Sequence, residues 1–79
     1  MPAHVDLIRA KLPGFAAEGH LYRAGDRHFL VFTGRSREGW EVCETSASGS
    51  GFGRTVVRNA ATRAEAVERL AKAVSDENA

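Results

Sequence analysis

The feature of this sequence that most constrains its fold is FLVF, a run of four large apolar side chains at residues 29–32. Successive side chains of a strand point to opposite faces of its sheet, so Phe29 and Val31 share one face and Leu30 and Phe32 the other. A strand that is apolar on both faces lies inside a sheet with a cover on each side. The run therefore predicts a central strand with two faces to bury.

This strand is one arm of a predicted hairpin. Two β-rich runs, 19–24 and 27–33, flank Gly25-Asp26, a pair that suits a two-residue turn with glycine in the first central position. Such a turn fixes the register of the two strands and places Tyr22 opposite Phe29. We expect the hairpin to form the middle of an antiparallel sheet.

Two further strands are predicted at 40–45 and 54–58. The first alternates apolar and polar side chains, as a strand with one buried face does. The polar segment 34–39 has the ordinary length of a hairpin connection. A serine- and glycine-rich segment, 46–53, joins the two strands.

The glycine-rich segment SASGSGFG raises the question of a phosphate-binding loop. Such a loop opens a helix, because the anion sits on free N–H groups at the helix N-terminus. The residues that follow are strand-like, so we interpret the segment as a hairpin loop. Phe52 lies within it, and a large apolar side chain there either packs back onto the core or forms an anchor for a partner.

A helix is predicted at each end of the chain. At the N-terminus, Val5, Ile8 and Leu12 are spaced as on one helical face, and Pro13-Gly14 would end a helix over residues 3–12.

The C-terminal helix is predicted over residues 63–75. Thr62 and Glu65 have the Thr-x-x-Glu spacing of a capping box, in which each side chain satisfies a free backbone N–H at the start of the helix. Residues 76–79 are expected to form a flexible tail. The apolar stripe of this helix consists of Val67, Leu70, Ala71 and Val74.

The order α-β-β-β-(β)-α predicts a single α+β domain over residues 1–79. It would be a two-layer sandwich, with a three- or four-stranded antiparallel sheet at 19–58 and both helices on one face. Two helices on one face cannot cover both sides of the central strand. Part of the opposite face would then be left to solvent, to the Phe52 loop, to another protein or to a second copy of the chain.

Composition narrows the function classes. Eleven basic and ten acidic residues give a formal net charge of +1, which argues against a strongly cationic nucleic-acid binder. The one cysteine excludes an internal disulfide and fits a reducing cytosol. The longest apolar runs are far shorter than a membrane span, and the N-terminus does not read as a signal peptide. We expect a soluble cytoplasmic protein with no membrane contact.

Chemical motifs are weak. His4, His20 and His28 lack the spacing of a metal site, and no nucleophile elbow or suitable pair of carboxylates is present. We therefore expect no catalysis, no metal and no cofactor, which leaves binding. The candidate partner-binding residues, whose alternative is a plain solvated surface, are Arg23, Arg35, Arg37, Phe52, Arg54 and Arg58.

The segment GWEVCETSASGSGFGRTVVRNAATRAEAVERLAKAV resembles the arm-site DNA-binding domain of tyrosine recombinases. In that family a Trp-x-Val strand, a basic third strand and a Thr-x-x-Glu-Ala helix follow one another. The resemblance implies a small sheet-based DNA-binding domain of a mobile element. The sequence departs from the family at Asn59-Ala60, where an aromatic residue is common, and in its predicted N-terminal helix.

In size, composition and predicted architecture the whole chain resembles phage-encoded anti-CRISPR proteins. This resemblance implies a non-enzymatic inhibitor, monomeric or homodimeric, in the cytoplasm of a bacterial host. Its partner would be a protein complex that handles nucleic acid, a type I effector whose DNA-handling surface it occupies. No residue role is carried over from it, and direct DNA binding is the alternative.

Overall fold

The computed structural model describes residues 4–12, 19–33 and 39–77. Each strand in this part of the chain pairs antiparallel with the next, so the sheet is a meander with β3 at its centre. The elements are β1 (Asp6–Arg9), β2 (Gly19–Ala24), β3 (Arg27–Thr33), β4 (Trp40–Thr45), β5 (Thr55–Ala60) and α1 (Arg63–Glu77).

The predicted N-terminal helix over 3–12 is wrong, and with it the two-helix layout. Asp6–Arg9 is a strand, β1, which makes the sheet five-stranded and leaves α1 as the one helix of the described residues. A helix would bring residues seven apart, such as Val5 and Leu12, onto one face. In the structure Val5 packs against the helix core and Leu12 against the loop core, on opposite faces of the sheet. A ten-residue helix is marginal by itself, whereas β1 gains a ladder of hydrogen bonds along the edge of β2.

The central hairpin has the predicted bounds and register. Tyr22 lies opposite Phe29, and Leu21 lies opposite Leu30. Gly25 adopts a φ of 64°, a left-handed conformation that glycine reaches without steric cost. β4 also has its predicted bounds, and β5 extends to Ala60.

The capping box of α1 is confirmed, with one difference. The Glu65 N–H donates to Thr62 Oγ1 at 3.1 Å, as the motif requires. The carboxylate of Glu65 accepts from the N–H of Ala61, one residue before the cap, at 2.7 Å. Two N–H groups near the helix start are thereby satisfied, and the helix begins at Arg63 as predicted. It ends at Glu77 instead of at residue 75, so residues 76 and 77 belong to α1 and not to a flexible tail.

The two faces of the sheet build separate cores. On one face α1 covers the helix core, and on the other face lies a smaller cluster that we call the loop core. The helix core contains Tyr22, Ala24, Phe29, Val31, Val42, Val57, Ala60, Ala66, Leu70 and Val74. The loop core contains Leu21, Leu30 and Cys43, with Leu12 and Phe32 packed against it.

Segment 46–54, which we call the Phe52 loop, lies over the loop core together with Leu12. A Cβ atom placed on Gly49 would lie 3.5 Å from Leu12 Cδ1 and 3.7 Å from Leu21 Cδ2, so the loop backbone runs directly across these side chains. Leu30 is consequently only 1% exposed. The loop is therefore one cover of the second face.

The described residues therefore cover most of the second face themselves. Of the four apolar side chains at 29–32, three are buried, and only Phe32 stays partly exposed. Among the occupants considered for the second face, the Phe52 loop is the one that the structure shows.

Candidate recognition loop

The Phe52 loop is closed at its base by backbone hydrogen bonds to β4. The Gly53 N–H donates to the Glu44 carbonyl at 2.7 Å, and the Glu44 N–H donates to the Arg54 carbonyl at 2.9 Å. A Cβ atom on Gly53 would lie 2.8 Å from the Glu44 carbonyl oxygen, so only glycine allows this close approach. The loop therefore leaves β4 and enters β5 as a closed hairpin connection.

Within the loop, three serine hydroxyls meet in a triangle. The Oγ atoms of Ser46, Ser48 and Ser50 lie 2.9 to 3.2 Å apart. Thr45 Oγ1 donates to the Gly51 carbonyl at 2.8 Å, and the Gly49 N–H donates to the Ser46 carbonyl at 2.9 Å. The alternation of serine and glycine thus supplies both tight turns and the hydroxyls that hold them.

Phe52 packs back onto the core and is also exposed, so each of the two alternatives predicted for it holds in part. Its ring packs against Phe32 edge to face, with 5.6 Å between ring centroids and 67° between planes. The residue is nevertheless 67% exposed. One edge of the ring is fixed on the loop core, and the remainder is presented to solvent.

The described residues among the predicted binding residues do not form one patch. Arg54 follows Phe52 closely, and its side chain is 63% exposed while it pairs with Glu77. Arg23 is exposed on β2 and Arg58 on β5, on strands that β3 and β4 separate. Arg35 and Arg37 lie outside the described residues. The candidate site is therefore centred on Phe52, with Arg54 two residues later in the same loop and with Arg23 and Arg58 on other strands.

An ion cluster that sequence reasoning missed lies beside this loop. We call Arg27, Glu44, Arg54 and Glu77 the Arg27 cluster. Arg27 contacts both carboxylate oxygens of Glu44, at 2.9 and 3.0 Å, and also pairs with Glu77. Glu77 is in the last turn of α1, where a negative charge opposes the helix dipole, and the two arginines offset it. No local spacing signals a cluster drawn from β3, β4, the loop and α1.

The cluster changes the acidity of its carboxyl groups. Hydrogen bonds from Arg27 lower the pKa of Glu44, and hydrogen bonds from Arg27 and then Arg54 lower the pKa of Glu77. The pKa of Arg27 is raised above its usual range, chiefly by the hydrogen bond to Glu44. Arg27 also stands over the ring of Phe29, 5.1 Å from its centroid, which ties the cluster to the helix core.

We expect the Arg27 cluster to make stability acid-sensitive. A carboxyl group whose pKa is lowered by folding contributes stability that is present above its ordinary pKa, here 4.5, and is lost as the pH falls below it. Because the pair is partly exposed, the contribution of Glu44 should be about 0.5 to 1 kcal/mol. Glu44→Gln should flatten the fall in unfolding free energy on acidification, measured by urea titration at several pH values.

Glu68→Gln is the matched control, because Glu68 is an exposed carboxylate of α1 outside the cluster. It should keep the acid dependence of the unsubstituted protein. An equal slope in Glu44→Gln and the unsubstituted protein would contradict the role given to the cluster.

Other chemistry finds little support in the described part of the chain. No group of three or more His, Cys, Asp or Glu side chains there could hold a metal ion. Nor do these residues include a helix with the length and apolar character that crossing a membrane requires. Burial raises the pKa of the Cys43 thiol to about 11, which disfavours a reactive thiolate.

Comparisons with known proteins add no relative. Neither the protein-family models, nor the curated proteins, nor the solved structures gave a match to this chain.

Proposed function

We propose that this chain is a non-enzymatic recognition domain that binds a protein partner through the Phe52 loop. One observation carries the proposal, namely that Phe52 is 67% exposed although its loop is held in place at both ends and in the middle. An aromatic side chain in a fixed position on the surface is the usual anchor of a protein interface.

The order of the loop supports a binding role. Association costs free energy when flexible side chains and loops become ordered, and a loop that is already ordered avoids part of that cost. The serine triangle, the Thr45 hydroxyl and the contact of Phe52 with Phe32 all restrict the loop before a partner arrives. The loop core supports the ring of Phe52 through the contact with Phe32.

The chemistry of the loop indicates what kind of surface it fits. Phe52 requires an apolar pocket. The guanidinium of Arg54 pairs with Glu77 on the α1 side of the sheet, whereas the ring of Phe52 packs on Phe32 in the loop core, so the two side chains face different directions. We therefore expect a partner surface with a small hydrophobic cavity that takes the ring of Phe52.

The position of the Phe52 loop favours a protein partner over DNA. The DNA-binding alternative requires the sheet face away from α1 to enter a groove. The Phe52 loop and Leu12 lie over that face. That the partner is a type I effector complex, and that the protein is a phage-type inhibitor, stay predictions from resemblance.

The test is capture from a bacterial lysate on immobilised protein, followed by titration of the purified captured protein. Phe52→Ala should weaken its affinity by about thirtyfold, the loss of a 2 kcal/mol hot spot. Because Phe52 is mostly exposed, thermal stability should change little. Ile8→Ala is the matched control, since Ile8 is a similarly exposed apolar residue, on β1.

Equal affinity of Phe52→Ala and the unsubstituted protein would exclude the loop as the binding site. A second arm measures binding to a random DNA duplex at low and high salt. Tight duplex binding that falls steeply with salt would contradict the protein version and favour the DNA-binding alternative.

A further inference from the structure

A cleft of about 840 Å³ lies on the helix side of the sheet, away from the Phe52 loop. It opens between the first two turns of α1 and the strands β2 and β4, because α1 packs mainly over β5, β4 and β3. The residues that give the cleft its chemistry are Lys11, His20, Tyr22, Trp40, Arg63 and Glu68.

The floor of the cleft is aromatic. His20 is only 2% exposed, Tyr22 is also buried, and Trp40 is half-buried beside them. The rings of His20 and Trp40 have centroids 6.1 Å apart and are tilted by 32°. Aromatic walls of this kind bind planar rings through stacking and edge contacts.

One end of the cleft is cationic. Arg63 Nη1 lies 3.0 Å from Nε2 of His20, and the backbone N–H of Lys11 points to Nδ1 of the same ring at 3.4 Å. Among the ion pairs of the described residues, none involves the ammonium of Lys11 or the guanidinium of Arg63. Arg63 is the first residue of α1, where the helix dipole also favours an anion.

The other end of the cleft offers an acceptor. Glu68 follows Arg63 by five residues, which is about 7.5 Å along a helix axis. Its carboxylate would repel an anion and accept a hydrogen bond from an amino group. The charges of the cleft therefore give a bound molecule a direction.

We propose that this cleft binds a small planar organic anion, with its negative group at Lys11 and Arg63 and a hydrogen-bond-donating substituent toward Glu68. The ring lies against Trp40 and His20. Aminated rings that carry a phosphate and those that carry a carboxylate share this chemistry. The site is separate from the Phe52 loop and does not depend on the function proposed for it.

Trp40 is the only tryptophan, so its fluorescence reports on the cleft directly. The probes are adenosine 5′-monophosphate and 4-aminobenzoate, each titrated to millimolar concentration and followed in parallel by calorimetry. A saturable response to either probe is expected, and the stronger one tells whether the anion is a phosphate or a carboxylate. Adenosine, which lacks the anion, and inorganic phosphate, which lacks the ring, should each bind at least about tenfold more weakly.

Lys11→Gln and Arg63→Gln should each weaken the binding by about tenfold, the loss of one charge-assisted hydrogen bond. Lys72→Gln, a charge change on α1 outside the cleft, should leave it unchanged. Because Arg63 contacts buried His20, Lys11→Gln serves as the test if Arg63→Gln does not fold. The proposal would be overturned if neither probe gave a saturable response, or if Lys11→Gln bound the probe as tightly as the unsubstituted protein. It would also be overturned if adenosine alone or phosphate alone bound as tightly as adenosine 5′-monophosphate.

Discussion

Leu70→Asp is expected to leave the chain unfolded in buffer. Leu70 is fully buried in the helix core, where α1 meets the sheet. A buried charge without a partner costs about 3 to 5 kcal/mol, in addition to the packing that leucine provides. The whole stability of a domain of this size is roughly 4 to 12 kcal/mol. Circular dichroism and a urea titration measure the loss.

Val67→Asp provides the control on the same helix. The sequence pattern placed Val67 in the apolar stripe with Leu70, but the structure shows it half-buried at the wall of the cleft. An aspartate there can stay hydrated, so the loss should be smaller, about 1 to 2 kcal/mol. Equal unfolding midpoints for the two variants would contradict the packing of α1 described above.

Leu30→Asp is also expected to destabilise the chain strongly, although Leu30 faces away from α1. Only the loop core surrounds this side chain, and it is 1% exposed. If the second face of the sheet were open, an aspartate at this position would be solvated and tolerated. Because the face is covered, we expect a loss of about 3 to 5 kcal/mol, measured by urea titration.

His28→Asp is the matched control for Leu30→Asp, because it places the same charge on the same face of β3. His28 is half-buried and lies opposite Arg23, a favourable neighbour for a carboxylate. The expected change in unfolding free energy is within about 1 kcal/mol. If Leu30→Asp were tolerated as well as this control, the loop core would not exist as described.

Local sequence patterns predicted the central hairpin and the start of the C-terminal helix correctly. The turn at Gly25-Asp26 fixes the central hairpin locally, and the capping box of Thr62 and Glu65 fixes the start of α1. Residues 3–12 carry no such local signal for their strand, because their apolar spacing is that of one helical face. Pairing with the edge of β2 makes the segment a strand, and that is a tertiary effect.

The candidate site around Phe52 could be predicted only in part from the sequence. Phe52 is conspicuous because no other large apolar residue lies in the glycine- and serine-rich segment. The position of that segment over the sheet depends on its contacts with Leu12 and Leu21, and no local sequence pattern predicts these contacts. The partner of Arg54, Glu77, is likewise distant along the chain. The cleft was missed for the same reason, since Arg63 and His20 are 43 residues apart.

The second face of the sheet is covered by the Phe52 loop and Leu12, and the loop presents Phe52 to solvent. The most direct measurement is the reaction rate of the Cys43 thiol with a disulfide reagent, because this lone cysteine lies in the loop core and is 2% exposed. At about pH 8 the native protein should react at least about a hundredfold more slowly than the urea-unfolded chain, through both restricted access and a raised thiol pKa. A native rate close to that of the unfolded chain would show that the face is open and would contradict the account.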